Sequence, residues 1–194
     1  MVCTDPQTVT TADQLFAMPD DGNRYELIAG VLSMMSPAGS EHGRIAGRIF
    51  VRLAVHVEQH ALGETYAAET GFRIAESPDT VRAPDAAFVS RKRLEAVAPT
   101  SGYLPLAPDL VVEVVSPHDS FSSVEAKAAD WLKAGCLVVL VADPDNLTMH
   151  VYESGAKIRL LRSGDRFSAG SICGGWNLDV DDIFGLSQPV PHNP

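Results

Sequence analysis

Three residues combine a reactive side chain with a local pattern that should bury it: Asp85, Glu113 and Lys127. Glu113 lies inside the run Asp109-Leu-Val-Val-Glu-Val-Val115, which reads as a strand. Side chains of a strand alternate faces, so Val111, Glu113 and Val115 share one face in a run with no other polar position after Asp109. A carboxylate buried there needs a metal ion, a cation or its own proton. A plain buried ion pair, or a glutamate at a sheet edge, satisfies the same pattern. Lys127 falls in a segment whose Val124, Ala128 and Trp131 share its helical face by three-and-four spacing. That face is the apolar one, so the ammonium should point at the sheet, unless the stem carries it past the edge to water. Asp85 opens the short strand Pro84-Asp-Ala-Ala-Phe88, next to small residues that leave room for an ion and its waters. Two carboxylates on neighbouring strands make a hard oxygen site suited to Mg²⁺ or Mn²⁺. Taken alone, Asp85 reads more readily as a strand-entry turn residue after Pro84.

Two further carboxylates compete for a place beside these. Glu26 sits in Arg24-Tyr-Glu-Leu-Ile28 and Glu69 in Ala68-Glu-Thr-Gly71. Glu26 ranks higher because its neighbours are more apolar, although either could be an ordinary cross-strand salt bridge. Arg44, Arg48, Arg52, His56 and His60 recur every four residues, a basic stripe that would suit a phosphate-tracking rim or simply a solvated helix face. His42 and His118 lack partners at metal-ligand spacing, so zinc has little support. No nucleophile elbow and no phosphate-cradling glycine loop is present.

The elements that must position these groups can be read from periodicity. Thr11 to Met18 reads as a short helix stopped by Pro19, and Arg24–Ile28 and Val31–Met35 as strands joined at Ala29-Gly30. Glu41 to His60 is the clearest helix, with Ile45, Ile49, Leu53 and Val57 every four residues. Glu64 to Ile74 reads as a strand broken or bent near Gly71, Pro84 to Ser90 as a short strand, and 91–95 as a charged stretch. Leu110 to Val115 is a strand stopped by Ser116-Pro117, and a second helix runs from about Ser122 to Ala134. Leu137 to Ala142 is apolar throughout, as in a central strand covered on both faces. Leu147–Tyr152 and Ala156–Arg162 alternate like a hairpin, and 168–184 reads as irregular, with Trp176 in the core after a Gly174-Gly175 turn. Strands outnumber helices, which predicts an α/β or α+β domain, a mixed sheet flanked by helices, over 11–185 with flexible tails at 1–10 and 186–194.

Bulk properties narrow the setting. The chain has 194 residues, 45% hydrophobic and 21% charged, enough for one domain with a substantial core. Cys3, Cys136 and Cys173 are scattered and odd in number, which argues against a disulfide framework. No secretory signal pattern or bilayer-length apolar run is visible, so a cytoplasmic protein is expected. The net charge of −10 counts against a broad non-specific nucleic-acid surface and leaves only a local basic groove.

An ordered set of short motifs runs along most of the chain. It comprises Arg24-Tyr-Glu-Leu-Ile-Ala-Gly30, Ser36-Pro37 with His42, Ala68-Glu-Thr-Gly-Phe72 and Arg82-Ala-Pro-Asp85. It continues with Pro108-Asp-Leu-Val-Val-Glu113, Ser116-Pro117, Lys127, Ala134-Gly135 and Asp143-Pro144. In this order and spacing the set resembles the Uma family of putative restriction endonucleases, a branch of the PD-(D/E)XK nuclease superfamily, from about Thr11 to Phe184. The resemblance implies a restriction-endonuclease-like fold, with Asp85 and Glu113 as ligands of Mg²⁺ (or Mn²⁺) and Glu26 as an extra acidic residue nearby. The superfamily's lysine usually follows two residues after the glutamate, where this chain has Val115; the family supplies it from the next helix, which Lys127 fits. Four residues past that lysine the family often has tyrosine, and this chain has Trp131, which keeps the aromatic body and moves the polar tip. The implied activity is hydrolysis of phosphodiester bonds in DNA, with Lys127 orienting water or stabilising the transition state, and with a homodimer as a natural arrangement for cutting two strands. Two rivals remain: a non-catalytic nucleic-acid-binding or regulatory module that retains the fold, and a structural protein in which Glu113 and Lys127 merely pair.

Overall fold

The computed structural model describes residues 9–116, 119–155 and 157–186. Pro117, His118, the start of the second hairpin arm at Ala156, the 189–194 tail and Cys3 lie outside the described residues. A short helix α1 (Ala12–Phe16) starts on a capping box in which Thr11 accepts from the Gln14 N–H and Gln14 returns the bond to the Thr11 backbone. β1 (Arg24–Ile28) and β2 (Val31–Met35) follow as an antiparallel hairpin. The long helix α2 (Ser40–Gln59) buries Ile45, Ala46, Ile49, Leu53 and Val57, the apolar stripe read from the sequence.

Glu64 to Ile74 is broken, not bent, near Gly71. It is two strands, β3 (Gly63–Ala67) and β4 (Phe72–Ala75), which belong to different sheets. The chain changes sheet through a turn in which Glu69 has φ 77°, and a side chain on Gly71 would meet the Tyr103 ring at 2.5 Å. β5 (Thr80–Arg82) joins β1, β2 and β4 in a four-stranded antiparallel sheet ordered β2-β1-β5-β4. β6 (Ala86–Ser90) leads into a short helix α3 (Arg91–Glu95), which is the charged stretch of the sequence.

β7 (Leu110–Val114), helix α4 (Phe121–Lys133) and β8 (Val138–Asp143) form a strand–helix–strand unit with the two strands parallel. β9 (Thr148–Glu153) and β10 (Lys157–Leu161) complete a six-stranded mixed sheet ordered β10-β9-β8-β7-β6-β3. Within it β7 and β8 are central and apolar throughout except for Glu113 and Asp143, as strands covered on both faces must be. The 168–184 stretch is more ordered than its sequence suggests. β11 (Arg166–Ser168) pairs with β12 (Asn177–Asp179), and α5 (Val180–Phe184) follows, all too short to show a period.

Alternation along the large sheet divides the core. Phe88, Leu110, Val112, Leu140 and Val151 face α2, where Trp176, Ile183 and Phe184 close the layer. Ala87, Val89, Val111, Val139 and Val141 face α4 through Val124, Ala128 and Trp131. A smaller core joins Val9, Leu15, Leu27 and Val81, so Val9, two residues ahead of the expected boundary at 11, is buried. Cys136 and Cys173 are free and buried as small apolar groups. No helix among the described residues is long and apolar enough to cross a membrane. Leu140 is fully buried on the central strand. We expect Leu140→Ala to lower stability by about 2–5 kcal/mol, read from the denaturant midpoint at unchanged slope.

Candidate functional site

Glu113 stands on β7 with the same parity as Val111, on the face covered by α4. The helix that leaves β7 returns over this face, and its apolar stripe carries Lys127 and Trp131 to the carboxylate. Lys127 Nζ donates to Glu113 Oε2 at 2.9 Å, and Trp131 Nε1 donates to Oε1 at 2.8 Å. The residue in the family's tyrosine position thus still presents a polar tip to the site. Asp85 precedes β6 by one residue. The register Ala86–Val112 and Ala87–Val111, continued by one step, sets Asp85 across from Glu113, and the Asp85 N–H donates to the Val112 carbonyl at 3.1 Å. Directly opposed residues on one sheet face approach within about 5 Å at Cβ. The Val114 N–H donates to Asp85 Oδ2 at 2.7 Å.

Glu26 arrives from the smaller sheet. Its Oε2 accepts from Arg82 at 3.0 Å, its Oε1 from the Ala83 N–H at 2.9 Å, and Oε1 lies 3.7 Å from Lys127 Nζ. Arg82 also binds Asp130 of α4. The structure therefore brings Asp85, Glu113, Lys127 and Glu26 together. It sends Glu69 elsewhere, to an exposed ion pair with Arg24 on the turn between sheets. It also occupies the basic stripe of α2. Arg48 donates to the Ile183 carbonyl, Arg52 pairs with Asp182, His56 donates to the Cys173 carbonyl, and Arg44 pairs with Glu41 of its own helix. The stripe is thus largely a seat for the C-terminal segment, not an open phosphate rim.

The electrostatics follow from crowding. Glu26, Asp85, Glu113 and Asp130 surround only two strong cations, Lys127 and Arg82. Glu113, 5% exposed, is pushed up to about 7, first by burial and then by the charges of Asp85 and Glu26, against the pull of Lys127. Burial alone would lower Lys127, but Glu113, Glu26 and Asp85 together outweigh it and hold it above its ordinary range. One ammonium is thereby kept charged, while Glu113, the carboxylate it touches, is not fully compensated.

His42 belongs to the motif set of the sequence, but no pattern of its own gave it a role. On the first turn of α2 it brings Nε2 to 3.2 Å from Asp85 Oδ2, an ion-pair contact. It extends the buried stripe of Ala46, Ile49 and Leu53 by one turn, which is the periodicity that could have found it. Asp85 raises the His42 pKa, against burial, which lowers it. The Val114 carbonyl also favours the imidazolium, yet His42 Nδ1 is buried without an acceptor in hydrogen-bonding geometry. Beside His42 a cleft of about 250 Å³ opens between the first turn of α2 and Val115, Pro144 and Asp145. Val115 and Pro144 follow β7 and β8, so the cleft lies at the carboxyl ends of the parallel pair, where open α/β sheets bind ligands.

A divalent ion fits this donor set in part. Asp85 Oδ1 has no hydrogen bond among the described residues, and Glu113 is a hard oxygen donor in a place with surplus negative charge. No three His, Cys, Asp or Glu side chains converge as a metal cluster among the described residues. The site therefore suits an ion that keeps most of its waters, which is the habit of Mg²⁺. Glu26, held by Arg82 and the Ala83 N–H and 3.7 Å from Lys127, serves both cations as a counter-charge.

Comparison with known proteins identifies the family and the fold. The model of the Uma2 family, described as "Putative restriction endonuclease", matches residues 12–181. A solved structure, a putative nuclease belonging to DUF820 from Anabaena variabilis, superimposes with a TM-score of 0.77 at 20% sequence identity. The match covers 90% of this chain and 97% of that one, and it establishes the mixed-sheet nuclease fold. No curated protein matches the sequence.

Two outcomes test the electrostatic account. Lys127→Met should lower stability by roughly 2–4 kcal/mol, less than a fully buried pair because 19% of the side chain is exposed, and adding Glu113→Gln should recover part of the loss in a double-mutant cycle. In metal-free protein, Glu113 has a folded pKa of about 7 above its ordinary 4.5. Its contribution is therefore fully present below pH 4.5 and lost as pH rises through 7. The melting temperature should fall across that window in wild type and fall less in Glu113→Gln.

Proposed function

This chain belongs to the Uma2 family of putative restriction endonucleases, and we propose that it is a Mg²⁺- or Mn²⁺-dependent endonuclease hydrolysing phosphodiester bonds in DNA. The observation that carries this reading is the pairing of Asp85 across from Glu113 on adjacent strands, with Lys127 delivered to Glu113 by the crossover helix.

Asp85 Oδ1 and a Glu113 oxygen would hold the ion. A divalent ion so placed supplies Lewis acidity at the phosphate and lowers the pKa of a bound water. Lys127 lies 2.9 Å from Glu113 and is held charged by its carboxylates, so it can stabilise the added negative charge on phosphate oxygens or orient the attacking water. Trp131 fixes the Glu113 carboxylate from its other oxygen and, buried beneath it, keeps bulk water out. Glu26, itself held by Arg82, faces the ammonium from behind. Phosphate would enter through the cleft at the ends of β7 and β8. Cutting both strands of a duplex would take two such sites, hence a homodimer.

The occupied basic stripe and the net charge of −10 favour a second reading, a non-catalytic module that retains the nuclease fold. Cleavage of supercoiled plasmid and single-stranded DNA separates the two. We expect wild type to cut with Mg²⁺ or Mn²⁺ and to stop on chelation. Glu113→Ala and Asp85→Ala should abolish cutting, and Lys127→Ala should reduce it roughly 100- to 1,000-fold. Folded wild type that cuts neither substrate, and whose melting temperature ignores the metal, would favour the non-catalytic module.

A further inference from the structure

We infer that His42 is a positioning residue for Asp85: it fixes Oδ2 so that Oδ1 is the atom left for a divalent cation. The inference rests on the metal-dependent reading of the site and adds a residue from the opposite layer to it.

The geometry begins with the position of Asp85. Its parity matches Ala87 and Val89, which face α4, but it lies one residue ahead of β6, at the end of the strand. There no neighbouring side chain on its own strand confines it, and a short carboxylate could turn toward either layer. Two donors restrict it. The Val114 N–H, from the strand that carries Glu113, reaches Oδ2 at 2.7 Å. His42 Nε2, from α2 on the far side of the sheet, reaches the same oxygen at 3.2 Å. Both contacts, a hydrogen bond from Val114 and an ion-pair contact from His42, end on Oδ2, and Oδ1 keeps its lone pairs free of hydrogen bonds among the described residues. Two convergent contacts on one oxygen define the orientation of a carboxylate in a way that one does not.

The other end of the imidazole supports the same conclusion. Despite the nearby Val114 carbonyl, buried His42 Nδ1 has no partner in hydrogen-bonding geometry among the described residues. An unmatched buried polar atom is unfavourable, and packing alone would be served better by an apolar residue in the stripe of Ala46, Ile49 and Leu53. The contact that histidine gains in return is the one to Asp85. A hydrogen bond to a ligating carboxylate also sets its orientation and donor strength, and removing such partners commonly weakens metal binding 10- to 100-fold.

The test is Mn²⁺ binding by titration calorimetry at one fixed pH, with metal-free melting followed in parallel. We expect His42→Ala to weaken Mn²⁺ binding by about 10- to 100-fold while the metal-free melting temperature moves by only a few degrees. His42→Gln, whose Nε2 can still donate to Oδ2, should recover most of the affinity. In an Asp85→Ala background, His42→Ala should add no further loss. Wild-type binding with unchanged affinity in His42→Ala would overturn the positioning role and leave the metal site standing. An affinity loss that tracks a matching loss of folding, and that glutamine does not rescue, would make His42 structural. Wild type that takes up no Mn²⁺ would overturn the metal site and this role together.

Discussion

The arrangement depends on one ammonium placed among too many carboxylates. Lys127 touches Glu113 and lies near Glu26, while the charge of Asp85 reaches both members of the pair. Such a group cannot be assembled from one element without repulsion driving it apart. Here the carboxylates are fixed to separate rigid pieces: Glu26 on β1 of the smaller sheet, Glu113 on central β7, Asp85 at the head of β6 and Asp130 on α4. Arg82 on β5 binds Glu26 and Asp130 at once, so the cation that ties the smaller sheet to α4 also limits the negative charge. Buried ion pairs contribute little net stability, because desolvation offsets their attraction. A cluster with surplus negative charge contributes less still. Its persistence is better explained by what it can hold than by what it stabilises.

The two layers divide the work. The α4 side carries Glu113, Lys127 and Trp131, all reached through one apolar helical stripe. The α2 side carries His42, which reaches Asp85 from the opposite face of the sheet. The strand end at Asp85 is where the layers can communicate, because no further β6 residue separates them. The cleft beside it, bounded by α2 and by the ends of β7 and β8, belongs to the same junction.

Much of this was legible in the sequence. Glu113 was visible because a carboxylate interrupts an otherwise apolar strand, and Lys127 because it interrupts the apolar stripe of a helix; both interruptions lie in regular elements whose period fixes the facing residue. Glu26 was legible on the same ground, but not its partners, since Arg82 belongs to a three-residue strand with no period. The switch of sheets between β3 and β4 was hidden because Glu64 to Ile74 keeps strand character on both sides of its turn. The basic stripe was real as a pattern. Its use was not legible, because its partners Ile183, Cys173 and Asp182 lie more than a hundred residues away in a stretch too short in its elements to be read. His42 stood in the motif set, but its role was hidden for a related reason: a single turn of extra stripe says nothing until the strand end it reaches is known.

The charge balance bears on how a polyanion could approach at all. The chain carries a net −10, and the arginines that would have formed a positive rim on α2 are engaged with α5 and with their own helix. Long-range attraction, the usual source of non-specific nucleic-acid affinity, is therefore weak for a single chain. At the site itself, surplus carboxylates repel phosphate, and Lys127 alone is shared too widely to reverse the sign. On the proposed reading, a divalent cation between Asp85 and Glu113 would change that sign locally, relieving the carboxylates and presenting positive charge to a phosphate oxygen. The cation would then govern substrate binding as much as chemistry, and affinity for a phosphodiester would rise and fall with occupancy of the acidic pair.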